Sequence, residues 1–205
     1  MAVKSTSRRT ERREKVRADI IRVARDLFAR YGSENVTLRA VAEEIGYSLA
    51  AIYRYFPDKA HLMAELVRET FALLVQDFDQ NVAGLKDPKR RLFAASRGMI
   101  RFFVDHPNHC RIVFFGPEDR SGLRSGIYIH EMGEELWNRI EKVFQEVSDS
   151  GKYRISKPKV ALHTWWSAMF GVAMLMVIQG EQPEFTPIPV LIDRLVDSLW
   201  SGLQG

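Results

Sequence analysis

The stretch from Thr37 to Phe56, TLRAVAEEIGYSLAAIYRYF, decides how the rest of the chain is read. Leu38, Val41, Ala42 and Ile45 recur at three- and four-residue steps, so Leu38 to Ile45 reads as a short amphipathic helix. Thr37 stands where its hydroxyl can cap the free amides of the first turn. Gly46 breaks this helix, Gly46-Tyr47 makes a turn, and Ser48 is placed to cap a second short helix with Ile52, Tyr53 and Phe56 as inward or anchoring residues. Two short amphipathic helices joined at a glycine are the helix-turn-helix arrangement.

Working outward, the spacing of Val16, Ile20, Val23, Ala24, Leu27, Phe28 and Tyr31 predicts a preceding helix from about Thr10 to Tyr31, stopped by Gly32. On the other side Pro57-Asp58 closes the unit, and Asp58 caps a longer fourth helix reaching about Asn81. Asp87-Pro88 pairs a cap with a proline at the first helical position and opens a fifth helix to His106. His106-Pro107 marks a bend, a short helix follows to Phe115, and Gly116-Pro117 ends it. A seventh helix, from the Ser125-Gly126 region to about Asp149, carries the stripe Ile129, Met132, Leu136, Ile140, Val143, Phe144 and Val147. Val160 to Gln179 is an eighth helix, and Thr186-Pro187 opens a ninth. No strand alternation and no internal repeat is found, so the predicted fold is all-α with about nine helices. The expected organisation is a basic arm over 1–13, a helix-turn-helix domain over 14–60 and a helical ligand-binding and dimerisation domain over 61–205.

Charge is uneven. Residues 1 to 17 hold Lys4, Arg8, Arg9, Arg12, Arg13, Lys15 and Arg17 against Glu11 and Glu14, a net of +5, while the whole chain carries +4. Cations clustered at a terminus are the footprint of a polyanion partner, although a solvated tail has the same composition. The basic start is not followed by the apolar stretch of a signal peptide, and Cys110 as the one cysteine cannot form an intramolecular disulfide. Both point to a cytoplasmic protein. Val160 to Gly180 carries no charged residue and is long enough to span a bilayer, but His163, Thr164, Ser167 and Gln179 interrupt it and no basic flank follows, so no membrane partner is expected.

In a helix-turn-helix the first helix crosses the duplex backbone and the second offers its N-terminal residues to the major groove. Leu49, Ala50 and Ala51 are small or apolar and allow close approach, and Ser48 stands at a helix N-terminus, which favours phosphate. From Ala18 to Leu66 the sequence ADIIRVARDLFARYGSENVTLRAVAEEIGYSLAAIYRYFPDKAHLMAEL resembles the DNA-binding signature of the TetR (AcrR) family of bacterial regulators. The resemblance implies that Thr37 and Arg39 contact phosphate or groove edge, and that Leu49, Ala50, Ala51, Arg54 and Tyr55 face the groove. It also implies that Tyr53 bonds a phosphate and that Lys59 meets phosphate at the start of the fourth helix. Position 51 often carries a hydroxyl in that family, whereas Ala51 offers only a methyl, so polar readout falls to Arg39, Arg54 and Tyr55.

One recognition helix reads few base pairs, so a palindromic double-stranded DNA site and a homodimer are expected. The ninth helix offers Ile188, Leu191, Ile192, Leu195, Val196, Leu199, Trp200 and Leu203 as an apolar stripe, and the eighth is apolar nearly all round; the last two helices are the expected dimer surface. HPNHCRIVF (His106 to Phe114) and WSAMFG (Trp166 to Gly171) resemble a subgroup of TetR ligand domains whose second motif reads Trp, three residues, His, Gly; here Phe170 replaces the histidine. Aromatic and methionine side chains are dense in this half, and Phe78, Phe102, Phe103, Trp165, Trp166, Met169, Phe170 and Met174 are candidates to line a pocket for an apolar small-molecule effector, with core packing as the competing use. His106, His109 and Cys110 lack a second cluster of matching spacing, so no metal site is expected; no catalytic constellation or cofactor loop is found either. The expected function is a ligand-responsive regulator acting as a repressor, not an enzyme. A constitutive or membrane-associated DNA-binding regulator and a helical enzyme or ligand carrier are the competing readings.

Overall fold

The computed structural model describes residues 2–32, 35–114, 126–155, 157–179 and 187–203, with the side chains of 2–8, 114, 126–130, 132 and 179 outside the description. The expected roles of Phe115, Thr186 and the side chains of Lys4, Arg8, Ile129 and Met132 therefore lie outside the described residues. Every described element is a helix, nine in all, and no strand occurs among the described residues. Two compact units are present, Met1–Glu69 with Arg111–Ile129, and Thr70–Cys110 with His130–Gly205.

In the first unit α1 spans Ala2–Tyr31. It starts well before Thr10, so the backbone of the basic arm is helical rather than extended. Residues 2–13 contain no glycine or proline and are rich in arginine, a good helix former, which lets a segment without apolar periodicity continue the helix. Ile20, Val23, Ala24, Leu27 and Phe28 form its buried face, as their spacing predicts. Helix α2 (Leu38–Ile45) is capped by Thr37, whose hydroxyl accepts from the Ala40 amide at 3.1 Å. Gly46 ends it in the left-handed region at φ +78°, where a side chain costs about 1–2 kcal/mol. The Gly46 and Tyr47 amides then donate to the Glu43 and Ala42 carbonyls at 3.1 and 2.9 Å.

Helix α3 (Leu49–Tyr53) is capped by Ser48, which accepts from the Ala51 amide at 3.2 Å. It ends before Phe56, and Phe56 is buried from the following turn. Tyr53, grouped with Ile52 and Phe56 in sequence, is instead 51% exposed, while Ile52 is fully buried. Helix α4 (Lys59–Val82) begins at Asp58, which accepts from the His61 amide at 2.8 Å. Arg17 on α1 pairs with Glu65 on α4 at 2.5 Å, and Arg25 makes a two-pronged contact with Glu69 at 2.6 and 2.7 Å. Such partly exposed pairs are worth up to about 1 kcal/mol each and serve chiefly to set the register of α1 against α4. The apolar core of Ile20, Phe28, Val41, Ile52, Phe56, Leu62 and Leu66 supplies the stability.

The second unit is built on α5 (Pro88–Asp105), which packs on α8 (Pro158–Gln179) and α9 (Ile188–Leu203). Asp87 caps α5 by accepting from the Arg90 amide at 2.9 Å, with Pro88 following as expected. The short α6 (Pro107–Phe114) follows α5, and α7 (Gly126–Asp149) buries Leu136, Ile140, Val143, Phe144 and Val147. Trp165 on α8 sits at the centre, edge-on to Phe144 at 5.8 Å. Its indole N–H donates to Ser96 Oγ at 2.8 Å, and Ser96 donates onward to the Leu92 carbonyl at 2.7 Å, so the buried polar groups are satisfied in series. Lys89 lies 4.7 Å from the Trp200 ring and 5.1 Å from Phe93, and Arg97 pairs with Asp193 at 2.5 Å; both join α5 to α9.

Pro158 to Ile178 is long and apolar enough to cross a membrane by length and composition. In the fold Ala161, Leu162, Trp165, Met169, Ala173, Met176 and Val177 form its buried side. The opposite side exposes Val160, Ser167, Gly171, Leu175 and Ile178.

Candidate functional site

Two sites emerge, one in each unit. In the first, Arg9, Arg12, Arg13 and Val16 of α1 line a groove of about 650 Å³ with Tyr47 of the turn before α3, Ala51 on α3, and Arg54 and Tyr55 just after it. Helical continuation of α1 brings this about. Arg9 to Arg12 and Arg13 to Val16 are three-residue steps, and Arg9 to Arg13 and Arg12 to Val16 are four-residue steps, so the four share a side of one helix. Four guanidinium groups along a concave surface suit phosphate, because each offers a planar fork of donors.

The residues expected from sequence divide by exposure. Thr37, Arg39, Ser48, Ala50, Tyr53 and Arg54 are exposed, and Leu49, Ala51, Tyr55 and Lys59 are partly so. Ala51, Arg54 and Tyr55 line the groove itself, while Thr37, Arg39, Ser48, Leu49, Ala50, Tyr53 and Lys59 lie outside its wall. Thr37 and Ser48 accept backbone hydrogen bonds at their caps, and each hydroxyl keeps a hydrogen to donate. Arg39 lies 3.8 Å from Glu43 one turn on, a contact loose enough to exchange for another anion. Lys59 rests over the Phe28 ring at 5.8 Å. Tyr47, a turn residue by sequence, is 41% exposed and lines the groove.

The second site is a small cavity of about 20 Å³ among Leu74, Asp77, Phe78, Leu92, Ala95, Ser96, Met99, Leu136, Ile140, Val143, Trp165, Trp166 and Met169. Room of this size admits about one water molecule. Of the eight aromatic and methionine candidates, Phe78, Trp165, Trp166 and Met169 line it; Phe102, Phe103, Phe170 and Met174 do not. Phe102 and Phe103 are buried packing residues, edge-to-face at 5.6 Å, and Phe170 joins Trp166 at 4.3 Å.

Asp77 is the residue that sequence reasoning missed here. It lies between Leu74 and Phe78 on α4, and its Oδ2 accepts from Asn81 Nδ2 at 2.9 Å. Burial raises its pKa from the ordinary value, against the opposing pulls of the Asn81 hydrogen bond and the charge of His106. Gly98 on α5 makes room for this pair: a Cβ there would lie 2.4 Å from Asn81 Nδ2 and 3.0 Å from Asp77 Oδ2. His109 Nδ1 lies 2.8 Å from Thr70 Oγ1, and Cys110 is buried. No group of three or more potential metal ligands gathers among the described residues.

The fold and the basic groove together define a helix-turn-helix DNA-binding protein of all-α architecture. Residues 20–66 match the family model described as "Bacterial regulatory proteins, tetR family", so the chain carries a TetR-family N-terminal domain. Over 154 residues it is 24% identical to the nucleoid occlusion factor SlmA of Vibrio campbellii, covering 75% of this chain and 71% of that one. It is 36% identical over 78 residues to the HTH-type transcriptional repressor AcnR of Corynebacterium diphtheriae, a match spanning 38% of this chain and 40% of the relative. The fold is also that of the transcriptional regulator FadR from Bacillus subtilis in complex with stearoyl-CoA, with a TM-score of 0.76, 18% identity, and coverage of 90% and 98% of the two chains. Phe170 stands where the histidine of the Trp, three residues, His, Gly motif would be, so the motif is incomplete in this chain.

Proposed function

We propose that this chain is a cytoplasmic, ligand-responsive transcriptional repressor that binds a palindromic duplex as a homodimer and is not an enzyme. In this reading residues 14–60 hold the DNA, extended by the arm of 1–13, and residues 61–205 dimerise and bind the effector. The observation that carries it is the groove in which Arg9, Arg12 and Arg13 meet Arg54 and Tyr55, because cations and a groove-reading helix converge on one surface. Phosphate contacts then come from α1, Thr37, Tyr53 and Lys59, and base-edge contacts from Arg39, Arg54 and Tyr55. Leu49, Ala50 and Ala51 admit thymine methyl groups. The name of the AcnR relative supports repression, and the stearoyl-CoA bound to the FadR neighbour supports a small-molecule effector.

Dimerisation through α8 and α9 is supported by the exposed Val160, Leu175 and Ile178 of α8 and Val190 of α9, at 59%, 39%, 63% and 50% exposure. A single chain leaves this apolar surface in water, and a twofold partner would cover it. Selection from a random duplex library, with the mass of the free protein measured by sedimentation, tests the reading. An enriched palindrome and a dimeric mass are expected. A monomer with no enriched sequence would overturn it.

A further inference from the structure

The cavity of the second unit has a chemical asymmetry that goes further than an apolar effector. Its wall is hydrocarbon and indole, and every lining residue is buried except Asp77 and Trp166. Those two therefore border the way in. The Asp77 carboxylate uses Oδ2 for Asn81, and Oδ1 accepts no hydrogen bond from the described residues. Asn81 is held in turn, since the same Nδ2 also donates to the Asp77 backbone carbonyl at 2.8 Å. Among the described residues no arginine or lysine salt bridge reaches Asp77, and His106 acts on it through its charge, whereas neighbouring Asp79 is paired with Arg139 at 2.9 Å. A carboxylate left with an open oxygen at an apolar mouth prefers a cation there and opposes an anion. An indole bordering the same mouth adds the face of a π system, which also favours a cation.

We propose that this cavity takes a small aromatic or alkyl amine, its ammonium group paired with Asp77 and its apolar body against Trp166 and Met169. The inference rests on the reading of the second unit as the effector domain and narrows the effector from apolar to cationic and apolar. Space for it comes from displacement of Trp166, which is only partly buried and packs on Phe170 at 4.3 Å and Trp137 at 5.5 Å. Gly98 is part of the same device. Its missing side chain leaves room for Asn81 to bond Asp77 Oδ2, since a Cβ there would lie 2.4 Å from Asn81 Nδ2 and 3.0 Å from Oδ2.

The test compares three probes of one shape, 2-phenylethylamine, 2-phenylethanol and phenylacetate, by calorimetry and by the fluorescence of the tryptophans. With the full-length protein the amine is expected to bind at least about tenfold tighter than the alcohol, the scale of one modest ion pair, and phenylacetate weakest of all. Asp77→Asn keeps the size and one acceptor but removes the charge, so it should bring amine and alcohol to equal affinity; circular dichroism confirms that the variant is folded. Gly98→Ala should weaken the amine selectively by pushing Asn81 off its position. An amine that binds no better than the alcohol, or does not bind, overturns the inference, as does amine preference that survives Asp77→Asn. Duplex binding is read in parallel. Asp77-dependent amine binding with unchanged duplex affinity would uphold the cavity chemistry and overturn the ligand-responsive reading instead.

Discussion

Replacing Arg9, Arg12 and Arg13 together by alanine asks whether the helical extension of α1 is part of the DNA-binding surface. All three line the groove shared with Arg54 and Tyr55. Each phosphate neutralised on B-form DNA contributes about −0.9 to the slope of log affinity against log salt. Three contacts from each protomer of the proposed dimer amount to about −5 in slope. Between about 50 and 200 mM salt that share of the affinity falls by roughly 10³, and the variant should lack this part of the decline. Alanine is the strongest helix former, so α1 should keep its helix and the loss should be one of charge. Anisotropy titrations on a mixed-sequence duplex across that salt range measure the slope. Arg22→Ala serves as the matched control, because Arg22 is exposed on the same helix but lies outside the groove. A slope unchanged by the triple substitution, or reduced equally by Arg22→Ala, would refute the assignment and leave the extension as a solvated helix.

Arg54→Ala should relax preference at particular base pairs at a cost of about 1–3 kcal/mol, whereas Tyr53→Phe should weaken all sequences alike; equal losses on selected and random duplexes for Arg54→Ala would count against base readout. Gly46→Ala meets nothing within 4 Å, so its cost is conformational alone, about 1–2 kcal/mol from the left-handed backbone, and urea unfolding at wild-type stability would contradict it. Asp58 has its pKa lowered, chiefly by the His61 side-chain hydrogen bond and then by the His61 amide. A depressed carboxylate stabilises the fold above its unfolded pKa, and that contribution disappears as pH falls through the folded value. Asp58→Ala should therefore cost about 1 kcal/mol at neutral pH, and the difference from wild type should shrink in acid; a pH-independent difference would rule this out.

Punctuation made most helix boundaries legible. Thr37, Gly46 and Ser48 mark the ends of α2 and α3 because their side chains, or lack of one, satisfy amides and conformations that no apolar residue could. Asp87-Pro88 marks α5 for the same reason. The start of α1 was not legible, since residues 2–13 are polar on every side and periodicity has nothing to register there. The cavity wall was only half legible. Helix α8 is apolar around its whole circumference, so its sequence does not say that Trp165 and Met169 turn inward while Leu175 and Ile178 turn out. Asp77 stayed hidden because an acid close to Asp79, Gln80 and Asn81 looks like solvated surface; only the helical phase of Leu74 and Phe78 brings it to the cavity.

Closure of that cavity has a thermodynamic consequence for any effector. Space for about one water cannot hold a ring and an amine, so under the proposed inference the binding-competent arrangement is a more open one, with Trp166 displaced. The apparent affinity is then reduced by the fraction of molecules already open, which makes a weak intrinsic ligand invisible and selects one that gains a specific contact. Asp77 supplies such a contact at the mouth, where an ammonium meets the open oxygen. Under the proposed function, a ligand that lowers duplex affinity a hundredfold must favour the non-binding arrangement by about 2.7 kcal/mol, and bound duplex must weaken the ligand by the same factor. Helix α4 is continuous from Lys59, expected at phosphate, to Asp77, at the cavity. One element therefore carries a residue for each proposed ligand.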